Sequence, residues 1–230
     1  MFTKKSIVIL TVILVGILAI GCSSNSSKKI PDVVATVNGV DIDKEMFENT
    51  VSRVREEYEW QGYDFEGEEG KELLEQLWEM VIKSLIEQEA LFQQAVEEGY
   101  AVSEEVLDEE YDYIKGQFES DEEFQTALDE SNYTSESFRE LLARDLAIEQ
   151  FLDDKIQEPT VTEEEKMDVY NEYKEQTQLQ AELTGQEAEI LTFEEVEEEI
   201  IYSVKQQKQH VQLSDLIDEI LANSQIEKFI

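Results

Sequence analysis

The chain has 230 residues, and 41% of them are apolar, which is an ordinary share for a globular protein with a real core. Asp and Glu number 56 against 18 Lys and Arg, so the formal net charge is −38. A surface this acidic repels nucleic acid phosphates and anionic lipid headgroups, which argues against nucleic acid as a partner. The acids are spread along predicted helices, as is typical of a solvated face.

The N-terminal residues have the pattern of a signal sequence. Lys4 and Lys5 precede an apolar run from Ile7 to Ile20. This run is shorter than the roughly 20 apolar residues that a membrane-spanning helix needs. It ends in the sequence AIGC at 19–22, which resembles the lipobox of bacterial lipoproteins, although Ala19 stands where leucine is more common.

Cys22 is the only cysteine of the chain, so no second cysteine exists for an intramolecular disulfide. The lipobox resemblance implies that residues 1–21 are a signal peptide, removed by cleavage before Cys22. It also implies that Cys22 carries a diacylglyceryl group, whose acyl chains (palmitate, for example) anchor the protein in the membrane. Residues 22–31 would then form a polar tether on the extracytoplasmic face of a bacterial cell membrane.

A β-hairpin is predicted after the tether. Val33–Val37 and Val40–Ile42 are short β-branched runs, and Asn38-Gly39 lies between them. An Asn-Gly pair between apolar runs is the strongest short-range hairpin signal, because both turn residues must accept a positive φ. After Asp43 nearly the whole sequence has helical periodicity.

Periodicity and start signals predict seven helices, at 43–60, 71–98, from Ser103, 120–131, 134–158, from Thr162 and from Thr192. The second has a wide apolar stripe that includes Trp78, so we expect it at the centre of the core. Capping boxes are predicted at three starts, Ser120/Glu123, Thr162/Glu165 and Thr192/Glu195. The polar stretch Gln176–Gly185 is predicted to be a loop or a frayed end, and Ile226–Ile230 is a candidate strand.

No catalytic residue, metal site or cofactor is predicted. The one histidine, His210, lies in a predicted helix, and a catalytic base would need an activated nucleophile beside it. Asp41 and Asp43 are spaced like the start of a calcium loop, but Met46 stands where an EF-hand requires glycine. The sequence has no glycine-rich loop of the kind that binds phosphate.

The segment YEWQGYDFEG at 58–67 holds the candidate binding residues, Tyr58, Trp60, Tyr63 and Phe65, on or beside an acidic loop that contains glycine. Aromatic side chains on a mobile surface hold apolar segments of a partner in a way that tolerates many sequences. The alternative is that the loop folds back and buries these rings against the first two helices, since large aromatic residues are mostly buried.

Five stretches resemble the SurA/PrsA-type extracytoplasmic folding factors. They are VVATVNGVDIDKEMFENTV at 33–51, the long-helix segment at 72–111, the helices at 118–152, VTEEEKMDVYNEY at 161–173 and the C-terminal helix at 192–221. The resemblance implies a mainly α, multi-helix SurA N-terminal-like chaperone domain over 32–173, with a short N-terminal β-hairpin. A C-terminal helix and strand at 192–230 would pack back on this domain and complete it.

Typical members of that family carry a parvulin prolyl isomerase domain between the exit segment and the C-terminal helix. Here only the 18 residues 174–191 fill that place, as a short linker, whereas an independent domain needs at least about 50. The resemblance therefore implies a chaperone body without an enzyme: a lipid-anchored holdase, most naturally on a Gram-positive surface, that binds unfolded or newly secreted polypeptides. The sequence leaves open an adaptor or assembly lipoprotein with one dedicated protein partner.

Overall fold

Seven helices and three short strands build the part of the chain that the computed structural model describes, which is residues 30–131, 133–185 and 187–230. The predicted signal peptide, nearly all of the tether and Cys22 lie outside the described residues. In chain order the elements are β1 (Val33–Val37), β2 (Val40–Asp43), α1 (Lys44–Trp60), α2 (Gly67–Glu97), α3 (Glu104–Lys115), α4 (Asp121–Glu130), α5 (Ser135–Lys155), α6 (Glu163–Thr184), α7 (Phe193–Asn223) and β3 (Ile226–Lys228). The mainly α fold that the sequence predicts is confirmed.

The N-terminal hairpin has the turn that its sequence predicts. Strands β1 and β2 pair antiparallel, and Val37 lies opposite Val40. Asn38 and Gly39 have φ angles of 52° and 82°, the left-handed conformation that asparagine and glycine tolerate best. Val34 and Val37 are fully buried, so the hairpin forms one wall of the core.

Helix α2 lies at the centre of the core, as its apolar stripe predicts. It packs against α1, α5, α7 and β1. Its buried apolar residues are Leu77, Val81, Ile82, Leu85, Ile86, Ala90, Leu91 and Ala95. Trp78 meets the buried ring of Phe47 edge-on at 5.8 Å between centroids. Fully burying a Val, Leu, Ile or Phe side chain contributes about 1.5–3 kcal/mol to folding. Helix α2 supplies eight of the 24 buried apolar residues of the described core.

A second aromatic cluster joins helices α3, α4 and α5. Phe124 is 4% exposed, and its ring meets Tyr111 at 5.5 Å, Phe118 at 5.2 Å and Phe138 at 6.0 Å. Tyr133 completes the cluster through its contact with Phe138. Offset and edge-on pairs of this kind stabilise a core beyond the burial of their area. These rings are therefore structural.

Side-chain caps set where the helices begin. The Thr162/Glu165 capping box is complete, because the Glu165 carboxylate accepts from Thr162 N–H at 2.8 Å and the Thr162 hydroxyl accepts from Glu165 N–H at 3.2 Å. At α4 the Ser120 hydroxyl caps Glu123 N–H at 3.2 Å, but the Glu123 carboxylate accepts from Glu119 N–H instead. The predicted box at Ser120 is therefore only half formed.

The cap of α6 also ties that helix to α7. Hydrogen bonds from the Lys208 side chain and from both Thr162 groups lower the pKa of Glu165 from 4.5 to about 2. Because the pKa of Glu165 is lower in the folded chain than in the unfolded chain, its ionised carboxylate stabilises the fold at pH values above the unfolded pKa of 4.5. That stabilisation is lost as the pH falls from 4.5 towards 2.

Two helix ends differ from their predictions. Helix α6 continues to Thr184, so the prediction of a loop or frayed end over Gln176–Gly185 is wrong. Gln, Glu, Leu and Ala all favour helix, and no breaker interrupts them before Gly185, whose φ of 69° ends the helix. Helix α5 ends at Lys155, three residues before Glu158, because the chain becomes extended at Ile156.

The C-terminal helix packs back on the N-terminal elements, as the resemblance implies. Buried Val196, Ile200 and Val204 hold α7 against α6. At the other end of α7, strand β3 pairs antiparallel with β1 and completes a sheet of order β2-β1-β3. The Asn38 side chain stabilises this packing of the C-terminal segment on the hairpin. It donates to Gln93 of α2 at 2.9 Å and accepts from Gln225 N–H at 2.7 Å.

Candidate functional site

The described residues offer no arrangement suited to catalysis by a metal. Within residues 30–131, 133–185 and 187–230, no group of three or more His, Cys, Asp or Glu side chains is placed to hold a metal ion. His210 lies exposed on α7. None of the described helices is both long enough and apolar enough to cross a membrane. Among the described residues, several large apolar side chains are exposed and available for contacts with another molecule.

The candidate aromatic surface is built on the end of α1. Gly62, with a φ of 94°, reverses the chain there. Tyr63 N–H donates to the Tyr58 carbonyl at 3.0 Å and Gly62 N–H to the Glu59 carbonyl at 3.0 Å. These two bonds form a Schellman motif, in which the residue after the glycine contacts the last turn of the helix. The rings of Tyr58 and Tyr63 accordingly meet at 5.2 Å.

The four aromatic residues of this segment have different environments. Trp60 is 93% exposed and Tyr63 is 49% exposed, whereas Tyr58 is half-buried beneath Tyr63. Phe65 is only 8% exposed, with the Arg55 guanidinium 5.3 Å from its ring centre. Burial places Phe65 in the core, which is the alternative that the sequence left open for this residue. The exposed set is therefore Trp60 and Tyr63, which we call the aromatic turn.

The aromatic turn lies in a strongly acidic stretch. Between Glu56 and Glu69 the chain has seven carboxylates and no basic residue. The nearest cations flank the stretch and are paired within it, Arg55 with Glu59 at 2.7 Å and Lys71 with Glu68 at 2.8 Å. Apolar rings surrounded by carboxylates favour a partner that is both apolar and cationic.

A second exposed apolar feature was missed by the sequence reasoning. Leu179 and Leu183, in the last turns of α6, are 58% and 80% exposed, and Leu191, just before α7, is 42% exposed. Tyr170 donates from its hydroxyl to the Leu191 carbonyl at 3.0 Å, which fixes the start of α7 beside the middle of α6. The spacing of four between Leu179 and Leu183 is the signal for a helix that could have revealed this feature.

Comparison with known proteins places the chain in a family. A family model described as the SurA-like N-terminal domain matches residues 3–152, well over half of the chain. The protein belongs to the SurA-like N-terminal domain family. Its match covers the hairpin and helices α1 to most of α5, so it includes the aromatic turn and the core around α2.

Relatives of this SurA-like protein bear the name foldase protein PrsA. The protein of that name from Caldanaerobacter subterraneus subsp. tengcongensis is 30% identical over 181 residues, which are 75% of this chain and 53% of the relative. The one from Clostridium botulinum strain 657 is 27% identical over 156 residues, which are 63% of this chain and 46% of the relative. The chain thus spans about half the length of these curated relatives.

Proposed function

We propose that this SurA-like protein is an extracytoplasmic folding chaperone of the holdase type. It binds unfolded or newly secreted polypeptides without covalent chemistry. The observation that carries the proposal is the exposure of Trp60 and Tyr63 on a turn whose backbone is fixed by its own hydrogen bonds. The exposed Trp60 ring offers apolar area, and its removal from water by a bound polypeptide would favour binding.

The acidic surroundings add selectivity to this proposal. Seven carboxylates around the aromatic turn attract cationic segments and repel acidic ones. Because exposed charges are screened within about 10 Å at 0.1 M salt, added salt weakens the capture of basic clients and leaves the apolar contribution.

The test is suppression of aggregation by a double variant, Trp60→Ser with Tyr63→Ser. We expect this variant to suppress the aggregation of a basic unfolded protein several-fold less well than the unchanged chain does. The matched control is Tyr113→Ser with Tyr202→Ser, which removes two tyrosines that are 64% and 66% exposed elsewhere. Substitutions at exposed positions usually change stability by only about 0.5 kcal/mol, but Tyr63→Ser also removes the packing of that ring on Tyr58. Urea midpoints of both double variants are therefore measured first, and activities are compared at a temperature where both are folded.

Equal activity of the two double variants would contradict a role for the aromatic turn. If the unchanged chain suppresses aggregation of neither a basic nor an acidic unfolded protein, the holdase function itself fails. The adaptor with one dedicated folded partner is then the better interpretation, and it predicts selective, stoichiometric binding.

Lipid anchoring at Cys22 is part of the same proposal. The support is the lipobox-like sequence AIGC at 19–22 after an apolar run. In a Gram-positive host, we expect the full chain to incorporate labelled palmitate and to sediment with membranes on the extracytoplasmic side. Cys22→Ala is expected to abolish the labelling. Equal labelling of the Cys22→Ala variant would refute an anchor at this residue.

We also propose that this chain holds its clients without prolyl isomerase activity. Helix α6 ends at Thr184 and α7 begins at Phe193, so eight residues connect them where the family's parvulin domain would stand. An independent domain needs about 50 residues or more. Acceleration of the slow cis/trans exchange of an Xaa-Pro peptide by the purified protein would contradict this part of the proposal.

A further inference from the structure

A cleft lies between α6, α7 and the segment that joins α5 to α6. Its volume is about 510 Å3, within the range of about 300–1,000 Å3 that ligand pockets have. Its apolar lining comes from Pro159, Val169, Val204 and Val211. Val211 is 51% exposed at the mouth, whereas Val204 is 4% exposed on the floor. The cleft is thus an open depression in which four apolar residues are accompanied by five polar or charged ones.

The segment at 156–161, which follows the end of α5, shows how this face of α7 holds non-helical backbone. The Gln212 side chain accepts from Gln157 N–H at 3.0 Å and donates to the Gln157 carbonyl at 3.2 Å. Lys208 donates to the Thr160 carbonyl at 2.8 Å. These bonds go to main-chain groups, which every sequence offers. One side of the cleft is therefore already formed by a non-helical segment of the chain that is held through its main-chain groups.

The charges at the cleft favour a cationic occupant. Its ionisable lining residues are two carboxylates, Glu165 and Asp168, and one ammonium, Lys208. Lys208 is paired with Glu165, whose pKa is lowered to about 2 by that contact and by its capping bonds. Asp168 is exposed and forms no ion pair with a described residue. It is therefore the carboxylate that a Lys or Arg of an occupant would meet.

We propose that the cleft binds an apolar side chain of an extended, cationic polypeptide, with an adjacent Lys or Arg on Asp168. The occupant lies along α7 as the segment 156–161 does. The inference rests on the proposed chaperone function, because it assigns the chemistry of the client to a second surface, separate in sequence from the aromatic turn.

The test uses the full chain and a short fluorescein-labelled Ser/Lys peptide with one central leucine, followed by fluorescence anisotropy at low salt. Val211→Gln is expected to weaken binding about tenfold, since it removes the apolar contact at the mouth. The matched control is Val106→Gln, which changes a valine that is 41% exposed on α3. Asp168→Asn is expected to weaken binding up to about fivefold and to reduce its dependence on salt.

Two further peptides test the apolar contact of the central leucine and the place on the protein where the peptide binds. A peptide with serine in place of leucine should bind as weakly to the unchanged chain as the leucine peptide binds to Val211→Gln. A peptide with benzoylphenylalanine in place of leucine should crosslink, on irradiation, to α6 or α7 beside the cleft. Crosslinks confined to other elements, or equal affinity of the Val211→Gln and Val106→Gln variants, would overturn the cleft as the binding site.

The outcome also separates this inference from the proposed function. If the unchanged chain suppresses aggregation and binds the leucine peptide, but Val211→Gln binds that peptide as well as Val106→Gln does, the chaperone function stands and the cleft proposal fails. If the unchanged chain binds the peptide at the cleft but suppresses no aggregation, the protein is a peptide-binding module and the holdase function fails.

Discussion

Replacing Arg144 by methionine is expected to destabilise the protein by about 3 kcal/mol. Glu89 is 7% exposed, and its carboxylate forms an ion pair with the Arg144 guanidinium, which stacks 4.1 Å from the centre of the Phe92 ring. Removing one partner of a buried pair leaves a buried charge without compensation, which costs about 3–5 kcal/mol. The lower end applies because the Arg144 side chain is 29% exposed.

The Arg144→Met substitution should also affect residues that are not in contact with Arg144. Glu89 also accepts a hydrogen bond from the Gln93 side chain at 2.6 Å. That same Gln93 amide donates to the Val37 carbonyl at 3.0 Å, and its oxygen accepts from Asn38. The pair therefore links α5, through α2, to the turn of the hairpin. We expect the Arg144→Met variant to loosen the hairpin, visible as faster hydrogen exchange of the β1 amides.

A urea titration measures this prediction against a matched control. Arg139 has the same side-chain exposure of 29%, but its partners Glu104 and Asp108 are 88% and 63% exposed. Arg139→Met is expected to cost below about 1 kcal/mol, because those carboxylates regain water. Adding Glu89→Gln to Arg144→Met should recover part of the loss. Equal losses for the two arginine variants would refute the burial argument.

The sequence predicted those features that depend on neighbouring residues. The hairpin turn needs only Asn38 and Gly39, because the backbone conformation that they tolerate sets the pairing next to the turn, from Val37 opposite Val40 to Ala35 opposite Ile42. The start of α6 needs only Thr162 and Glu165, three residues apart. Such signals lie within one turn of chain, so the amino-acid sequence contains all the information that they require.

The sequence could not show which acids and aromatics are buried. Glu89 is one of 56 acidic residues, and only its position on the apolar stripe of α2, four residues after Leu85, hinted at burial. Phe65 and Trp60 stand in the same segment, yet one is buried and the other is 93% exposed. Their difference is decided by packing against distant residues, which no local pattern records.

The cleft beside α7 was also beyond the sequence. It requires α5 to end at Lys155, so that the non-helical segment 156–161 can lie on α7. The sequence reasoning placed that end near Glu158, because Pro159 is the visible breaker. The earlier end is accompanied by bonds from Gln212 and Lys208. These residues are about fifty positions away along the chain.

Substituting Gly70 by alanine is expected to destabilise the protein by about 2–3 kcal/mol, although the same change in most helices is stabilising. Alanine is favoured over glycine inside a helix by about 1 kcal/mol. In the first turns of α2, however, a Cβ on Gly70 would lie 2.1 Å from the Phe65 carbonyl carbon and 2.5 Å from its oxygen. The Phe65 main chain would have to move, and overpacking of this kind costs about 1–3 kcal/mol.

The displacement would also lift the Phe65 ring from its buried position, so the losses of Gly70→Ala and Phe65→Ala should overlap. We expect a double variant that is less destabilised than the sum of the two single variants, because the burial of one ring can be lost only once. Urea midpoints measure the three variants. The control is Glu69→Ala, an exposed neighbour in the first turn of α2, which should change stability by less than about 1 kcal/mol. If Gly70→Ala had the same urea midpoint as that control, the Phe65 main chain would be able to move away from the added methyl group at no cost in stability. The tight turn would then not be what holds Phe65 in the core while the aromatic turn stays in water.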